Sequence, residues 1–320
     1  MQVRGGTPVE KRRSYRVIAG LVMLAVVAAV GALLAQVHNH ASLPDPVVEL
    51  ARDSMTLPLT TVGGRPIVQV RVNGSGPYPF ILDTGAEGTL ITMALANELK
   101  LPISGEVKVA SPGAAEPASA EMVQIAKIEL GDVKMTGVTG VALDLSSMPK
   151  IFSGADAPMG VLSIRGWKGF LVTVDYPANR ITVKRGQLAT ADNVTIYQFS
   201  ATDRLPTVSV DFAGTAVRAN VDTGAGRGIV LPRSLQSKLP LEAAPVPTES
   251  LHTVSGEQAA SRAQLKGAMK LGGYSIQGPQ LDFVDEFPMG NLGYPILKNF
   301  AVTVDWQSHR VELKQSAPPA

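Results

Sequence analysis

Two aspartates, Asp83 and Asp222, have the setting that acid–base chemistry needs. Each directly follows apolar, strand-like residues, where burial raises the cost of carrying a charge, and each opens an Asp-Thr-Gly tripeptide. Two carboxyls held a hydrogen bond apart share one proton and titrate as a coupled pair. The ionised member can then take a proton from water while the protonated member donates to a carbonyl oxygen. This chemistry requires neither a metal nor a cofactor, and none is expected.

One Asp-Thr-Gly tripeptide is most often a turn at the end of a strand, but an internal duplication pairs these two. Residues 159–184 align without a gap on residues 289–314, with 11 of 26 positions identical, and both copies have the pattern of a β-hairpin. The segments 66–85 and 206–224, which end in the two tripeptides, also resemble each other. Duplicated lobes pair about a pseudo-twofold axis, near which equivalent residues meet. Asp83 is therefore expected to face Asp222.

The duplication and the composition together predict how the chain is divided. The predicted parts are a basic tail at 1–16, a membrane span at 17–37, a stalk at 38–54, a first lobe at 55–187, a linker at 188–195, a second lobe at 196–315 and a disordered tail at 316–320. Because both lobes are in one chain, a monomer is expected.

The membrane span is predicted from 21 consecutive residues without a charge, close to the ~20 that the hydrocarbon layer requires. This length favours an uncleaved anchor over a secretory signal, and no small-residue cleavage step precedes His38. The first 16 residues carry five basic side chains against one acid. Positive residues stay inside, so the N-terminus is expected in the cytoplasm and the lobes outside it, in the periplasm if the source is a Gram-negative bacterium.

Charge and cysteine content exclude several functional classes. The net charge is +2, and the basic tail alone carries +4, so the remaining chain sums to −2 and nucleic-acid binding has no electrostatic support. The chain has no cysteine, which excludes disulfides, a cysteine nucleophile and thiolate metal sites. His252 and His309 are isolated from any zinc-binding pattern, and no metal site is expected.

The loops FILDTGAEGTLI and ANVDTGAGRGIVLP resemble the catalytic loops of the pepsin and retropepsin superfamily of aspartic proteases. The segment GNLGYPILKNFAVTVDWQSHRVEL resembles the C-terminal signature of bacterial retropepsin-like aspartyl proteases. The resemblance implies a mainly β, bilobal pepsin-like fold of two retropepsin-like β lobes with a central cleft. It implies that Thr84 and Thr223 hydrogen-bond across the lobe interface. The implied catalytic residues are Asp83 and Asp222, and the implied supporting residues are Thr84, Gly85, Thr223 and Gly224.

The expected activity is hydrolysis of peptide bonds in an extracytoplasmic protein or peptide, which tethering to the bilayer through residues 17–37 would restrict to membrane-associated substrates. The substrate would lie extended in the cleft, under a hairpin flap around Gly113 or Gly256, and bind mainly through its backbone. One alternative is a non-catalytic peptide-binding module, although both acids are retained. Another is a glycosidase with two carboxylates, although such a pair occupies unlike environments and these two occupy matching repeats.

Some residues depart from the family's pattern. Ser163 and Asn291 interrupt the apolar-apolar-Gly step that braces each catalytic loop, so the first-lobe brace is expected to be distorted. Ala86 and Ala225 follow the tripeptides where a hydroxyl donor is common. Losing a donor to the ionised carboxylate raises its pKa, which predicts activity nearer neutral than strongly acidic pH.

Other side chains near the motifs have structural interpretations. Glu87 and Arg227 form either an ion pair across the lobes or two solvated surface charges. Trp167, Trp306 and Tyr176 lie in or beside the repeated hairpins and are expected to pack in the core. Gly85 and Gly224 are expected because a tight turn needs backbone freedom and because a substrate backbone must approach closely.

Overall fold

A computed structural model of the chain describes residues 43–109, 117–144, 157–253, 256–285 and 287–315. The predicted basic tail, membrane span and C-terminal tail lie outside these residues, as does Gly113. Within the described ranges, no helix is long and apolar enough to cross a membrane. The described chain is mainly β and contains two repeated β lobes, as the sequence predicts.

The first lobe is a nine-stranded sheet, counted over the residues described. Its elements are β1 (Val47–Leu50), β3 (Thr60–Val62), β4 (Arg65–Val72), β5 (Ser75–Asp83), β6 (Leu90–Thr92), β7 (Ile103–Val109), β8 (Ala118–Leu130), β9 (Val133–Leu143) and β10 (Gly160–Ser163), with the short helix α1 (Met93–Glu98) after β6. The order is β1-β9-β6-β10-β5-β4-β8-β7, and β3 pairs with β4. In β4, Val68, Val70 and Val72 are buried while Gln69 and Arg71 are exposed, the alternation of a half-buried strand.

The second lobe repeats this architecture. Its elements are β14 (Thr207–Phe212), β15 (Thr215–Val221), β16 (Ile229–Pro232), β17 (Val246–Thr253), β18 (Gly256–Gln264), β19 (Ala268–Leu271), β20 (Tyr274–Gln277), β21 (Gln280–Val284) and β22 (Gly290–Leu292), with a 3₁₀ turn at Arg233–Leu235 and the short helix α2 (Tyr294–Leu297). The order is β17-β18-β21-β16-β22-β15-β14-β19-β20. In both lobes, the strand that leads to Asp-Thr-Gly therefore lies inside the sheet, with a neighbour on each side.

A six-stranded sheet joins the lobes. Its strands are β2 (Ser54–Pro58), β11 (Phe170–Asp175), β12 (Arg180–Arg185), β13 (Ile196–Gln198), β23 (Phe300–Asp305) and β24 (Arg310–Gln315), in the order β13-β24-β23-β11-β12-β2. The duplicated hairpins β11–β12 and β23–β24 meet where β11 pairs antiparallel with β23. Thr173 lies opposite Thr303, its counterpart in the repeat, with the hydroxyl oxygens 2.9 Å apart. The pseudo-twofold axis passes through this pair.

The predicted stalk is wrong for its last residues. Val47–Leu50 is strand β1, which pairs antiparallel with β9 of the first lobe, and Leu50 is buried. Ser54 already belongs to β2 and pairs with Lys184 of β12. The segment appears stalk-like because four residues are too short for a clear alternation, and its partner strand lies more than 80 residues further along the chain.

The two repeated hairpins place large aromatic side chains in the core. Trp167, Trp306 and Tyr176 are all buried, which confirms the packing role predicted for them. Trp306 packs edge-on against Phe199, with ring centroids 5.3 Å apart. The buried Asp305 ends β23 and accepts hydrogen bonds from the backbone of the turn that follows. Aromatic packing and the hydrogen bonds of the turn therefore hold the hairpins in place, and residues of both lobes belong to one hydrophobic core.

Candidate active site

Asp83 and Asp222 each lie where a buried strand ends against a second strand. Asp83 is the last residue of β5 and lies beside Ser163 of β10 in a parallel pair. Asp222 directly follows β15, and its backbone N–H donates to the carbonyl oxygen of Leu292 in β22, 3.0 Å away. The same pair of strands, one carrying the aspartate and one bracing it, is therefore present in both lobes.

Thr84 and Thr223 join the two aspartate loops by four hydrogen bonds. The backbone N–H of Thr84 donates to the Thr223 hydroxyl at 3.1 Å, and that of Thr223 donates to the Thr84 hydroxyl at 3.0 Å. The Thr84 hydroxyl donates to the Val221 carbonyl at 2.6 Å, and the Thr223 hydroxyl to the Leu82 carbonyl at 2.8 Å. Both side chains are buried, so each bond also satisfies a group that water cannot reach. The network fixes the loops relative to each other.

Gly85 and Gly224 allow the two carboxyls to approach. A Cβ on Gly85 would collide with the carboxyl of Asp222, and a Cβ on Gly224 would collide with that of Asp83. Neither glycine has a positive φ. The expectation that these glycines supply backbone freedom for a tight turn is therefore wrong. Glycine is required because the carboxyl of the opposite lobe occupies the space of its side chain.

The two carboxyls have different hydrogen-bond partners. Asp83 Oδ1 accepts from the backbone N–H of Gly85 at 2.6 Å and from that of Gly224 at 3.2 Å. Asp222 Oδ2 accepts from the side-chain amide of Asn291 at 2.9 Å. A symmetric frame thus carries a pair of carboxyls in unlike surroundings.

Burial raises the pKa of both carboxyls, and neighbouring groups then make the two pKa values different. The pKa of Asp83 is raised first by burial and then by the charge of Asp222. The pKa of Asp222 is also raised by burial, but the hydrogen bonds from Asn291 and Asp83 and the charge of Arg65 oppose the rise. These neighbours therefore favour the ionised form at Asp222 and the protonated form at Asp83.

Asn291 and Ser163, which interrupt the expected apolar pattern, both serve the loops. Asn291 lies in β22 and donates to the Asp222 carboxyl, so it replaces the donor that Ala225 cannot provide. The Ser163 hydroxyl donates to the carbonyl of Ala86 at 2.7 Å, and β10 pairs with β5 over four consecutive residues. The first-lobe brace is not distorted, because a side-chain hydrogen bond holds the loop there.

Arg65 and Tyr176 are site residues that the sequence analysis missed as such. Arg65, the first residue of β4, donates through Nε to the carbonyl of Gly224 at 2.7 Å. Burial lowers its pKa, while the charges of Asp222 and Asp83 raise it. Burial and the charges of the two aspartates raise the pKa of Tyr176, which therefore stays neutral and whose hydroxyl has no hydrogen-bond partner in the described chain. Both residues lie outside the Asp-Thr-Gly motifs in the sequence, so their proximity to the aspartates becomes visible only in the fold.

The ion pair considered for Glu87 and Arg227 does not form, because each of the two residues pairs with a different partner. Glu87 pairs across the lobes with Arg204, with a nitrogen–oxygen distance of 3.0 Å. Arg227 pairs with the buried Asp282 at 2.7 Å and also donates to the backbone carbonyls of residues 249 and 250. Arg227 is therefore used within the second lobe, and a different arginine meets Glu87.

Both segments considered as a flap belong to β-hairpins. Strands β7 and β8 pair antiparallel on either side of residues 110–117, and no residue of β7 is fully buried. Strands β17 and β18 form the corresponding hairpin in the second lobe. Of the strands β7 and β8, β7 is the more exposed, because Ala120, Val123 and Ile125 of β8 are buried.

Metal-binding groups are not assembled near the aspartates. Over the residues described, no cluster of three or more His, Asp or Glu side chains could hold a metal ion. The ring of His309 packs edge-on against Phe199, with centroids 5.6 Å apart.

The chain matches a known protein family. A family model described as aspartyl protease matches residues 68–162 and residues 208–296. The first segment contains β5, Asp83 and β10, and the second contains β15, Asp222 and β22. A search of curated proteins returned no significant match.

Replacing Asn291 by leucine is expected to raise the pKa of Asp222. Leucine has nearly the same shape but no donor, so the charged form of the carboxyl loses a hydrogen bond and protonates at higher pH. Carboxyl ¹³C NMR titration measures this upward shift. Ser163→Ala is the matched control, since it removes a hydrogen bond to the other loop without touching either carboxyl. An unchanged titration in the Asn291→Leu protein would show that this amide does not stabilise the charge.

Proposed function

The chain belongs to the aspartyl protease family, and from this premise we propose that it is an endopeptidase in which Asp83 and Asp222 activate a water molecule. The observation that carries the proposal is the close approach of the two carboxyls: Asp83 Oδ1 accepts from the backbone N–H of Gly224, and the Asp222 carboxyl occupies the side-chain space of Gly85. A pair with one proton can act as a base at one carboxyl and as an acid at the other. Gly85 and Gly224 support this arrangement, because the absence of a side chain at each leaves room for the carboxyl of the opposite lobe.

Asp222 is the base in this proposal and Asp83 is the acid. The Asp222 carboxylate takes a proton from water, the water oxygen bonds to the peptide carbonyl carbon, and Asp83 donates its proton to the carbonyl oxygen. The resulting tetrahedral intermediate collapses when Asp222 passes its new proton to the amide nitrogen. The C–N bond then breaks, and a hydroxyl of the intermediate returns a proton to Asp83. The products are a carboxylic acid and an amine, and the pair regains its initial protonation.

The proposed substrate is an extended segment of a protein. Backbone groups of the aspartate loops and the hairpins that flank them are suited to bind a strand through its main chain. The alternative, a peptide-binding module without activity, would need no shared proton and no close carboxyl pair. The proposal includes an anchor at residues 17–37, with the lobes outside the cytoplasm and a membrane-associated substrate, on the basis of the uncharged run and the basic residues before it.

Asp83→Asn and Asp222→Asn are each expected to reduce peptide cleavage at least ~10³-fold, because either change removes the acid or the base. The measurement is kcat/KM of a protein that comprises residues 43–320, assayed on a library of fluorogenic peptides. Asp132→Asn is the control, since this exposed carboxylate pairs with Arg52 on the surface, away from the aspartate loops. Cleavage that persists in either dyad variant, or peptide binding by a wild type that never cleaves, would support the non-catalytic alternative.

Cleavage is expected to be fastest nearer neutral than strongly acidic pH. The reactive form carries one proton on the pair. The raised pKa of each carboxyl moves both limbs of the pH–rate profile to higher pH. The rate should therefore fall on the acid side of the profile, where Asp222 becomes protonated. A profile of kcat/KM against pH measures this, and a maximum well below about pH 4 would contradict it.

The anchor makes a separate prediction for the full-length chain. Expressed in a bacterium, it is expected to remain with the membrane fraction after a carbonate wash, and protease added outside the cytoplasmic membrane should degrade the lobes. A chain that starts at residue 43 is the control and should not sediment. Release of the full-length chain by carbonate, or protection of its lobes, would overturn the anchor or its orientation.

A further inference from the structure

The pseudo-symmetry that relates the aspartates also relates two arginines. Asp83 and Asp222 are 139 residues apart, and the same offset relates Arg65 to Arg204. Arg65 begins β4, and Arg204 lies just before β14, the first strands of the hairpins that lead to the two aspartates. Each lobe therefore directs one guanidinium towards the aspartate loop of the other lobe.

Only one of these arginines meets a carboxylate. Glu87, four residues after Asp83, pairs with Arg204 at 3.0 Å. The position equivalent to Glu87 is Gly226, which has no side chain. The guanidinium of Arg65 lies against this glycine, since a Cβ on Gly226 would be 2.8 Å from Nη1. Arg65 is thus directed at the place where the symmetric frame would have a carboxylate.

The hydrogen-bond partners of Arg65 are neutral backbone carbonyls, although the charges of Asp222 and Asp83 also act on it. Its Nε donates to the carbonyl of Gly224 and its Nη1 to that of Gly63, and it makes no ion pair with any residue in the described chain. Burial lowers its pKa, which means that the charged form is incompletely compensated. The charge of the aspartate pair offsets only part of this cost.

Space for a ligand side chain lies beside Gly226. A cavity of about 610 Å³ is lined by residues 226–229 and extends towards Thr248 and Pro279. Its own charges balance, because Arg227 and Arg262 both pair with Asp282 and the remaining acid in the lining is Glu249. Arg65 reaches the edge of this cavity at Gly226, the lining residue against which its guanidinium lies.

We infer that Arg65 binds an acidic side chain of the substrate, on one side of the scissile bond only. The inference rests on the proposed peptidase function and assigns its substrate class: peptides with a glutamate or aspartate near the cleaved bond. On the opposite side, Arg204 is already paired with Glu87, so the position that is symmetric to Arg65 has no free cation for the substrate. The two ends of a symmetric site are thereby made different, which gives the bound peptide a preferred direction.

The test compares peptide pairs that differ only by glutamate or glutamine at one position, scanned across the cleaved bond. For the wild type, the ratio of kcat/KM for the acidic to the neutral peptide is expected to reach about tenfold at a position on one side, the effect of one charge-assisted hydrogen bond. In Arg65→Gln the ratio should fall to about one. Using a ratio within each variant removes any general loss of activity.

Two further variants exploit the symmetry. Gly226→Glu gives Arg65 the carboxylate that Arg204 already has, and it should abolish the acidic preference with Arg65 still present. The backbone at Gly226 has no positive φ, so a side chain fits once the end of Arg65 shifts. Glu87→Gly frees Arg204 and should create a second acidic preference on the other side of the bond.

Three results would overturn the inference. If the wild type cleaves the acidic and neutral peptides of every pair with equal kcat/KM, the inference is wrong although the peptidase function stands. An Arg65→Gln protein whose pH profile shifts for every peptide, with the acidic preference retained, would show that Arg65 acts only on the aspartate pair. If the wild type cleaves no peptide of the library, the proposed function fails and the inference falls with it.

Discussion

The four hydrogen bonds between Thr84 and Thr223 are the contact on which the site depends. They connect two buried loops that belong to different lobes, and each side-chain hydroxyl both accepts from one backbone N–H and donates to a backbone carbonyl. Each bond contributes only about 1 kcal/mol of net stability, but leaving one of these buried groups unpaired would cost more. Because the threonines fix the loops at contact distance, the carboxyls before them are held together although each prefers to be hydrated. The six-stranded sheet supplies the frame, with Thr173 and Thr303 on its axis.

Within this symmetric frame, the chemistry depends on asymmetry. The hydrogen bond from Asn291 and the charge of Arg65 stabilise the ionised form of Asp222, whereas burial and the charge of Asp222 favour the protonated form of Asp83. Neither Asn291 nor Arg65 belongs to an Asp-Thr-Gly motif. In the proposed mechanism, the division of roles between two matching carboxyls therefore comes from their neighbours, and changes in those neighbours are expected to alter the working pH without changing the motifs.

The sequence predicted the features that local pattern and duplication encode. Alternation and the hairpin signatures identified the β lobes, and the repeat placed Asp83 opposite Asp222, since equivalent residues meet at a twofold axis. Contacts between residues distant in sequence could not be predicted this way. The pairing of Glu87 with Arg204, the position of Arg65 and the addition of β1 to the first lobe all depend on tertiary packing. Asn291 shows the limit most clearly, because the residue that seemed to break a pattern is the one that binds the carboxylate.

The coupling of the two carboxyls is tested most directly by the titration of Asp83 in two proteins, the wild type and Asp222→Asn, followed by site-resolved carboxyl ¹³C NMR. In the wild type, Asp83 is expected to titrate well above its ordinary range. In the variant its pKa should fall, because the neighbouring charge is removed, while remaining above the ordinary value through burial. An Asp83 pKa that is the same in both proteins would contradict a shared proton and, with it, the proposed chemistry.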